Sequence, residues 1–190
     1  MESLLLQIIQ EHRLYKTDKH TGHSYIPHLY DELFLPYKDE ENTILEIGMR
    51  EGDSMILWRE YFQNSTIYGV DNCADPVIKN NEDYSRFKGV DRINAIVGDA
   101  YDPEFADTLP NFDIVIDDGP HTVESQIKTI QLYLPKLNPG GVLIIEDIQS
   151  VDNMNKINEH IPDEYGENAY GVDLRQHKGT PDDLVIVVKK

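Results

Sequence analysis

Two acidic clusters carry the most specific chemical signal in this 190-residue sequence. The apolar run Phe112 to Ile116 leads into Asp117-Asp118-Gly119-Pro120-His121, and the run Val142 to Ile145 leads into Glu146-Asp147. Neighbouring strand ends of a parallel sheet lie about 5 Å apart, so carboxylates from both can reach one cation. Several oxygen ligands and no sulfur suit a hard ion, Mg²⁺ before Mn²⁺ or Ca²⁺. Adjacent strand residues point to opposite faces. Asp117 with Asp118, or Glu146 with Asp147, therefore share a metal only where strand gives way to turn, and Gly119 supplies such a turn for the first pair. His121, three residues beyond Asp118, is placed to act as a general base at the same centre. The competing reading is that these are solvated acids and helix caps on an acidic protein. A zinc site made from His12, His20, His23 and His28 is disfavoured by their irregular spacing and by the absence of a cysteine cluster.

A second constellation stands upstream. Glu46-Ile47-Gly48-Met49-Arg50-Glu51-Gly52-Asp53-Ser54 follows an apolar run, and its glycines let the backbone approach a ligand closely. It is not the G-x-G-x-x-G of dinucleotide enzymes. Asp71 ends the next strand candidate, where a carboxylate commonly accepts hydrogen bonds from ribose hydroxyls, and Asp99 ends the one after it. One such acid is often only a helix cap, but two after a glycine turn point to a nucleoside ligand.

These residues need elements that bring them to one edge. Strand signals fall at Thr43 to Ile47, Thr66 to Asp71, Ile93 to Val97, Phe112 to Ile116 and Val142 to Ile145. Helix-like stretches, notably Ser54 to Phe62 and Thr122 to Leu134, lie between them. Alternating strands and helices with fully apolar strands predict an α/β fold around a parallel sheet, with ligands beyond the strands' carboxyl ends. Gly171 to Arg175 and Leu184 to Val188 are two further strands, and the short loop between them makes that pair antiparallel. Upstream, Leu4, Leu5, Ile8 and Ile9 recur at helical spacing, a polar irregular run extends from His12 to Ser24, and Pro27 opens a second helix with Leu29, Leu33 and Phe34 on one face. No internal repeat or linker is visible, so a single domain over 1–190 is expected, with 1–40 a helical, lid-forming segment and 41–190 the core.

Composition narrows the partners. Thirty-five acidic against seventeen basic residues give a net charge of -18, which repels a phosphate backbone and argues against nucleic acid. Cys73 is the lone cysteine, so no internal disulfide forms and a reducing, cytoplasmic setting is expected. The first residues lack the basic head and apolar run of a signal peptide, and no stretch is long enough to span a bilayer. The oligomeric state is not encoded in any visible pattern.

The Glu46 to Ser54 turn, Asp71, Asp99, Asp117 to His121, Leu137-Asn138-Pro139-Gly140-Gly141 and the closing strand pair together resemble a class I S-adenosylmethionine-dependent methyltransferase. The resemblance implies a Rossmann-like, mostly parallel seven-stranded sheet with an antiparallel C-terminal pair. More narrowly, Thr17-Asp18-Lys19, His23-Ser24-Tyr25 and Tyr30, with Asp117 to His121 and Ile145-Glu146-Asp147-Ile148, are similar to the metal-dependent sugar O-methyltransferases of macrolide biosynthesis. Cephalosporin hydroxylase-like proteins share the metal motif. The resemblance implies Asp118, Glu146 and Asp147 as ligands of Mg²⁺ (or Mn²⁺) and His121 as the base. It also implies S-adenosylmethionine held by Glu46, Gly48, Gly52, Ser54, Asp71, Asp99 and Asp117, with Thr17 and Lys19 folding over it. Tyr25, Tyr30 and Gln149 are candidate acceptor contacts. Three departures stand out: Pro120 where the family usually has serine, Met49-Arg50-Glu51 in place of a more glycine-rich turn, and Ala100 for a frequent glutamine. The expected activity is methyl transfer to a hydroxyl of a sugar or glycoside. A catechol or other natural-product acceptor, an NAD-binding oxidoreductase and a non-catalytic cofactor-binding protein are the alternatives.

Overall fold

A computed structural model describes residues 3–74 and 81–190; Met1, Glu2 and 75–80 lie outside it, and the side chains of 81–83 are not described. Seven strands form one sheet: β1 (Thr43–Ile47), β2 (Thr66–Asp71), β3 (Ile93–Val97), β4 (Phe112–Asp117), β5 (Leu137–Ile145), β6 (Ala169–Asp173) and β7 (Leu184–Lys189), in spatial order β3-β2-β1-β4-β5-β7-β6. The first five pair in parallel, and β7 runs antiparallel to both β5 and β6. This is the expected mixed sheet. The chain order reverses between β1 and β4, so the crevice of an open α/β sheet falls there.

Alternate residues of each central strand serve opposite faces, which is why the strands read as continuous apolar runs. Ile44, Ile114, Ile116 and Ile144 pack one side against the helices α1 (Leu4–His12) and α3 (Asp53–Tyr61). Leu45, Val115, Leu143 and Ile145 pack the other against α4 (Pro103–Thr108), α5 (Val123–Tyr133) and α6 (Val151–Asn158). In α1 the Ser3 hydroxyl caps the first turn, and Leu5, Ile8 and Ile9 are buried, whereas Leu4 is substantially exposed.

The second N-terminal helix is not the regular element that Pro27 suggests. One turn of π-helix, Ile26–Tyr30, passes into the three-residue α2 (Asp31–Leu33) and a 3₁₀ turn, Leu35–Tyr37. Leu29, Leu33 and Phe34 are buried as expected. The wider π turn is a frequent companion of functional sites, and here it accompanies Tyr25 and Tyr30, whose hydroxyls both reach strand-end acids. Phe34 stacks on Tyr30 and meets Trp58 of α3 edge-on, so the N-terminal segment is part of the core.

Two boundaries differ from expectation. β5 begins at Leu137, ahead of its apolar run, and β6 spans Ala169–Asp173, two residues earlier than the composition suggests. Asp173 Oδ1 accepts the Arg175 N–H and starts the turn, so the chain leaves the sheet for α7 (Arg175–Lys178). Among the described residues no helix is long and apolar enough to cross a membrane.

Candidate active site

A cleft of about 540 Å³ opens over the carboxyl ends of β1, β2 and β4, with Thr17, Ser54, Asp71, Asp99 and His121 among its walls. Gly48 follows β1 with φ +87°, and a Cβ there would lie 2.0 Å from the Asp118 carbonyl oxygen. The glycine thus permits direct contact between the β1 turn and the residue that carries the site's central carboxylate. Gly52, φ +77°, starts α3 where a Cβ would meet the Phe87 ring at 2.7 Å. Asp71 accepts from the Arg50 N–H at 2.9 Å and the Cys73 N–H at 2.6 Å, tying the turns on both sides of the cleft, while Asp99 accepts from the Tyr101 N–H at 2.9 Å.

Asp118 and His121, which line the cleft, and Asp147 beside them each offer one ligand atom, all within 4.8 Å of one another. His121 Nε2 lies 3.2 Å from Asp118 Oδ1 and 3.5 Å from Asp147 Oδ2. The side chains converge because the strands have ended: β4 stops at Asp117, β5 at Ile145, and both His121 and Asp147 take positive φ, 57° and 55°. Such conformations cost about 1–3 kcal/mol each for non-glycine residues and persist where surrounding contacts enforce them. Thr122 caps α5 with a reciprocal Ser125 bond, which fixes His121 one residue ahead of the helix.

Behind this group the N-terminal segment supplies the partners. Lys19, 1% exposed, brings its ammonium to 2.5 Å from Glu146 Oε2, 2.8 Å from Asp118 Oδ2 and 3.3 Å from Glu46 Oε1. Tyr30 donates to Glu146 and Tyr25 to Asp147. His23 Nδ1 pairs with Asp183 Oδ1 at 2.6 Å and approaches Asp147 Oδ1 at 3.4 Å. Ser24 also donates to Asp183.

The electrostatics follow from burial and from these pairings. Burial pushes Glu46, Asp117 and Glu146 above the usual carboxylate range. Burial opposes charge on Lys19, but the Asp118, Glu146 and Glu46 carboxylates overcome it and hold the ammonium above its ordinary value. Asp118, part-buried and so pushed up by desolvation, is nevertheless held low by the Lys19 charge and by His121. Burial and the Asp118 charge lift Asp147 to about 6. His121 is depressed by burial but raised more by its hydrogen bond to Asp118 and the surrounding acids, to about 9.

The expected site residues divide into two sets. Gly48, Gly52, Ser54, Asp71, Asp99, Thr17, Asp118 and His121 border the cleft. Glu46 and Asp117 are expected at the cofactor but are not among its walls: Glu46 accepts from Ser54 and faces Lys19, while Asp117 accepts from Tyr101, Thr129 and the Gly119 N–H. Lys19 stands in the acid cluster rather than in the cleft wall. Tyr25 and Tyr30, expected as acceptor contacts, are 1% and 0% exposed and bound to the acids. Gln149 is exposed and bonds the Asp147 carbonyl and Asp182. Sequence reasoning passed over His23 and Asp183 as site components. His23 stood within a quoted segment, but Asp183, an acid before the last strand, carried no signal.

The donors fit the groups that such a site implies. Two carboxylates and an imidazole within ligating reach suit a hard or borderline divalent cation. For a nucleoside cofactor, the cleft holds an acid at each of two strand ends, and the Thr17 hydroxyl, on its wall, is buried without a hydrogen-bond partner. Fold and cleft define a Rossmann-like α/β domain with its ligand site at the topological switch point. Residues 45–148 match the family described as "Methyltransferase domain", Methyltransf_24, and the chain belongs to that family. This membership displaces the oxidoreductase alternative.

Among curated relatives, 8-demethyl-8-alpha-L-rhamnosyl tetracenomycin-C 2'-O-methyltransferase of Streptomyces olivaceus is 33% identical over 145 residues, 70% of this chain and 35% of the relative. Mycinamicin VI 2''-O-methyltransferase of Micromonospora griseorubida is 31% identical over 178 residues, 85% of this chain and 42% of the relative. The MycE methyltransferase of the mycinamycin biosynthetic pathway, solved with Mg, SAH and mycinamycin VI, superposes with TM-score 0.60 at 30% identity, covering 75% of this chain and 36% of that one. The chain spans well under half the length of these relatives.

Proposed function

We propose that this chain is an S-adenosylmethionine-dependent, divalent-metal-assisted O-methyltransferase acting on a hydroxyl of a sugar or glycoside. The observation that carries the proposal is the convergence of Asp118, His121 and Asp147 beside the cleft. The relatives named above, O-methyltransferases by name, one of them of a rhamnosyl tetracenomycin, and the MycE structure solved with Mg and SAH support the cofactor pair and the acceptor class. Asp71 and Asp99 are positioned to accept from the nucleoside, with Gly48, Gly52, Ser54 and Thr17 along the remainder of the cofactor. Asp118, Asp147 and Glu146 are the proposed cation ligands, Glu146 in competition with Lys19.

Bound there, the sulfonium supplies the methyl group and the cation supplies positive charge that lowers the cost of deprotonating a nearby hydroxyl. With Asp118 and Asp147 neutralised by a cation, their hold on the His121 proton loosens, and the neutral His121 Nε2 then accepts the proton of the hydroxyl. The fold's share of the catalysis is orientation: the β4 and β5 ends hold base and acids in place, and the cleft walls align methyl donor and acceptor oxygen. A single domain over 1–190, with 1–40 closing over the core, and a cytoplasmic location complete the proposal.

A labelled-methyl assay over glycosides, sugars and catechols, with and without EDTA, tests it. Metal-dependent transfer to glycosides that is lost in Asp118→Ala supports the proposal. Transfer to catechols would move the acceptor class, EDTA-insensitive turnover would remove the metal, and no transfer to any acceptor despite S-adenosylmethionine binding would leave a non-catalytic binding protein.

A further inference from the structure

The N-terminal strap, residues 14–25, touches both halves of the site. Lys16 binds the glycine turn through Glu51 at 2.7 Å, and its N–H donates to Asp53. Thr17 and Asp18 line the cleft, and the next residue, Lys19, lies in the acid cluster. Asp118 is the shared element: Oδ2 takes the Lys19 ammonium, and Oδ1 faces His121 Nε2. A cation held by Asp118 and Asp147 would therefore sit across a single carboxylate from a buried ammonium. Like charges at that separation, with little water between them, repel strongly. Glu146 is claimed in the same way, by Lys19 on Oε2 and Tyr30 on Oε1.

We infer that Lys19 is a positioning residue that competes with the divalent cation for Asp118 and Glu146, so that cation binding shifts the strap and with it the Thr17–Asp18 wall of the cofactor cleft. Metal occupancy and cofactor grip are then coupled through three consecutive residues. The inference rests on the proposed metal site but concerns a side chain outside its ligand set. It gives the strap a function that a passive lid lacks.

The test uses Mn²⁺ alone as the probe, by calorimetry, on the wild-type chain, Lys19→Met and Lys19→Arg. Lys19→Met is expected to bind Mn²⁺ at least tenfold more tightly, because the competing charge is gone, and Lys19→Arg to stay within about threefold of wild type. Hydrogen exchange in the wild type is expected to rise across residues 16–22 when Mn²⁺ is added. Lys19→Met affinity equal to or weaker than wild type overturns the inference, because loss of a merely structural contact cannot tighten metal binding. If Lys19→Met does not fold, the wild-type exchange decides: no change across the strap overturns the inference. Should either result coincide with EDTA-sensitive methyl transfer, the inference falls and the proposed function stands. Absence of any Mn²⁺ binding to the wild type overturns both.

Discussion

Gly48→Ala tests whether the β1 turn must touch the residue that carries the central carboxylate. Two costs are expected, and the structure separates them. The first is conformational: φ of +87° costs a residue with a Cβ about 1–2 kcal/mol. Gly140, at φ +81° with nothing within 4 Å of its would-be Cβ, pays only this cost and is the internal control. The second is steric. A methyl at Gly48 would stand 2.0 Å from the Asp118 oxygen and 2.6 Å from its carbonyl carbon, so the ends of β1 and β4 must part by roughly 1.5 Å to restore ordinary contact. Those strands are tied at this point by the Asp118 N–H to the Ile47 carbonyl, 2.9 Å. Overpacking of this kind costs about 1–3 kcal/mol. Gly48→Ala should therefore lose about 2–5 kcal/mol and Gly140→Ala about 1–2 kcal/mol, read as denaturation midpoints at constant slope. The displaced Asp118 should also weaken Mn²⁺ binding in the first variant alone. Equal stability loss in both variants, with equal Mn²⁺ affinity, would refute the reasoning that close approach at Gly48 organises the site.

Three further outcomes are expected. Asp71→Ala should weaken S-adenosylmethionine binding at least tenfold in a titration while costing about 1 kcal/mol in stability, since its two backbone donors lie near solvent; unchanged affinity would remove Asp71 from the cofactor site. Asp183→Asn, which alters the buried acceptor of His23 and Ser24, should cost about 1.5–3 kcal/mol in denaturation, and stability equal to wild type would show that this network contributes nothing. Burial, then His177 and Lys178, depress His28, so the folded chain resists its protonation; its contribution is present above the ordinary histidine pKa and is lost as pH falls through the depressed value. The melting temperature of wild type relative to His28→Gln should therefore fall between pH 8 and pH 5, and a difference independent of pH would sink that reading.

The fold was legible because its signals are local. Apolar strands and the glycine turn show in short windows, and the eight residues between the last two strand candidates are too few for a crossover helix, so all seven strands and the antiparallel pair could be read from the sequence. The convergence of Asp118 with Asp147 and His121 was also legible, because each follows the apolar run that positions it. What stayed hidden depends on long-range approach. Lys19 meets Glu146 across 127 positions and His23 meets Asp183 across 160, separations at which spacing carries no information. The π turn was hidden for a related reason: Ile26–Tyr30 reads as an ordinary amphipathic helix start, and tertiary contacts of its tyrosines with the acids accompany the wider turn. Glu46 and Asp117 were placed at the right strand ends, but sequence could not say that their carboxylates turn inward.

The inward acids explain why residues 14–30 cannot be a dispensable cover. Glu46, Asp118, Glu146 and Asp147 are four carboxylates in one largely water-free cluster, and taking each out of water costs several kcal/mol unless charge or donors replace the solvent. The strand ends supply the His121 imidazole; the strap region supplies the ammonium of Lys19, the hydroxyls of Tyr25 and Tyr30, and the His23 imidazole, whose nearer partner is a fifth acid, Asp183, so that the two are counted as a separate pair. Four negative charges against Lys19 and a protonated His121 leave two uncompensated, which protons on the raised acids or one divalent cation can cancel. With His121 neutral, as a base must be, three remain and the demand for a cation grows. The same residues thus make the cluster foldable and leave it short of the charge that a metal-assisted transfer would bring.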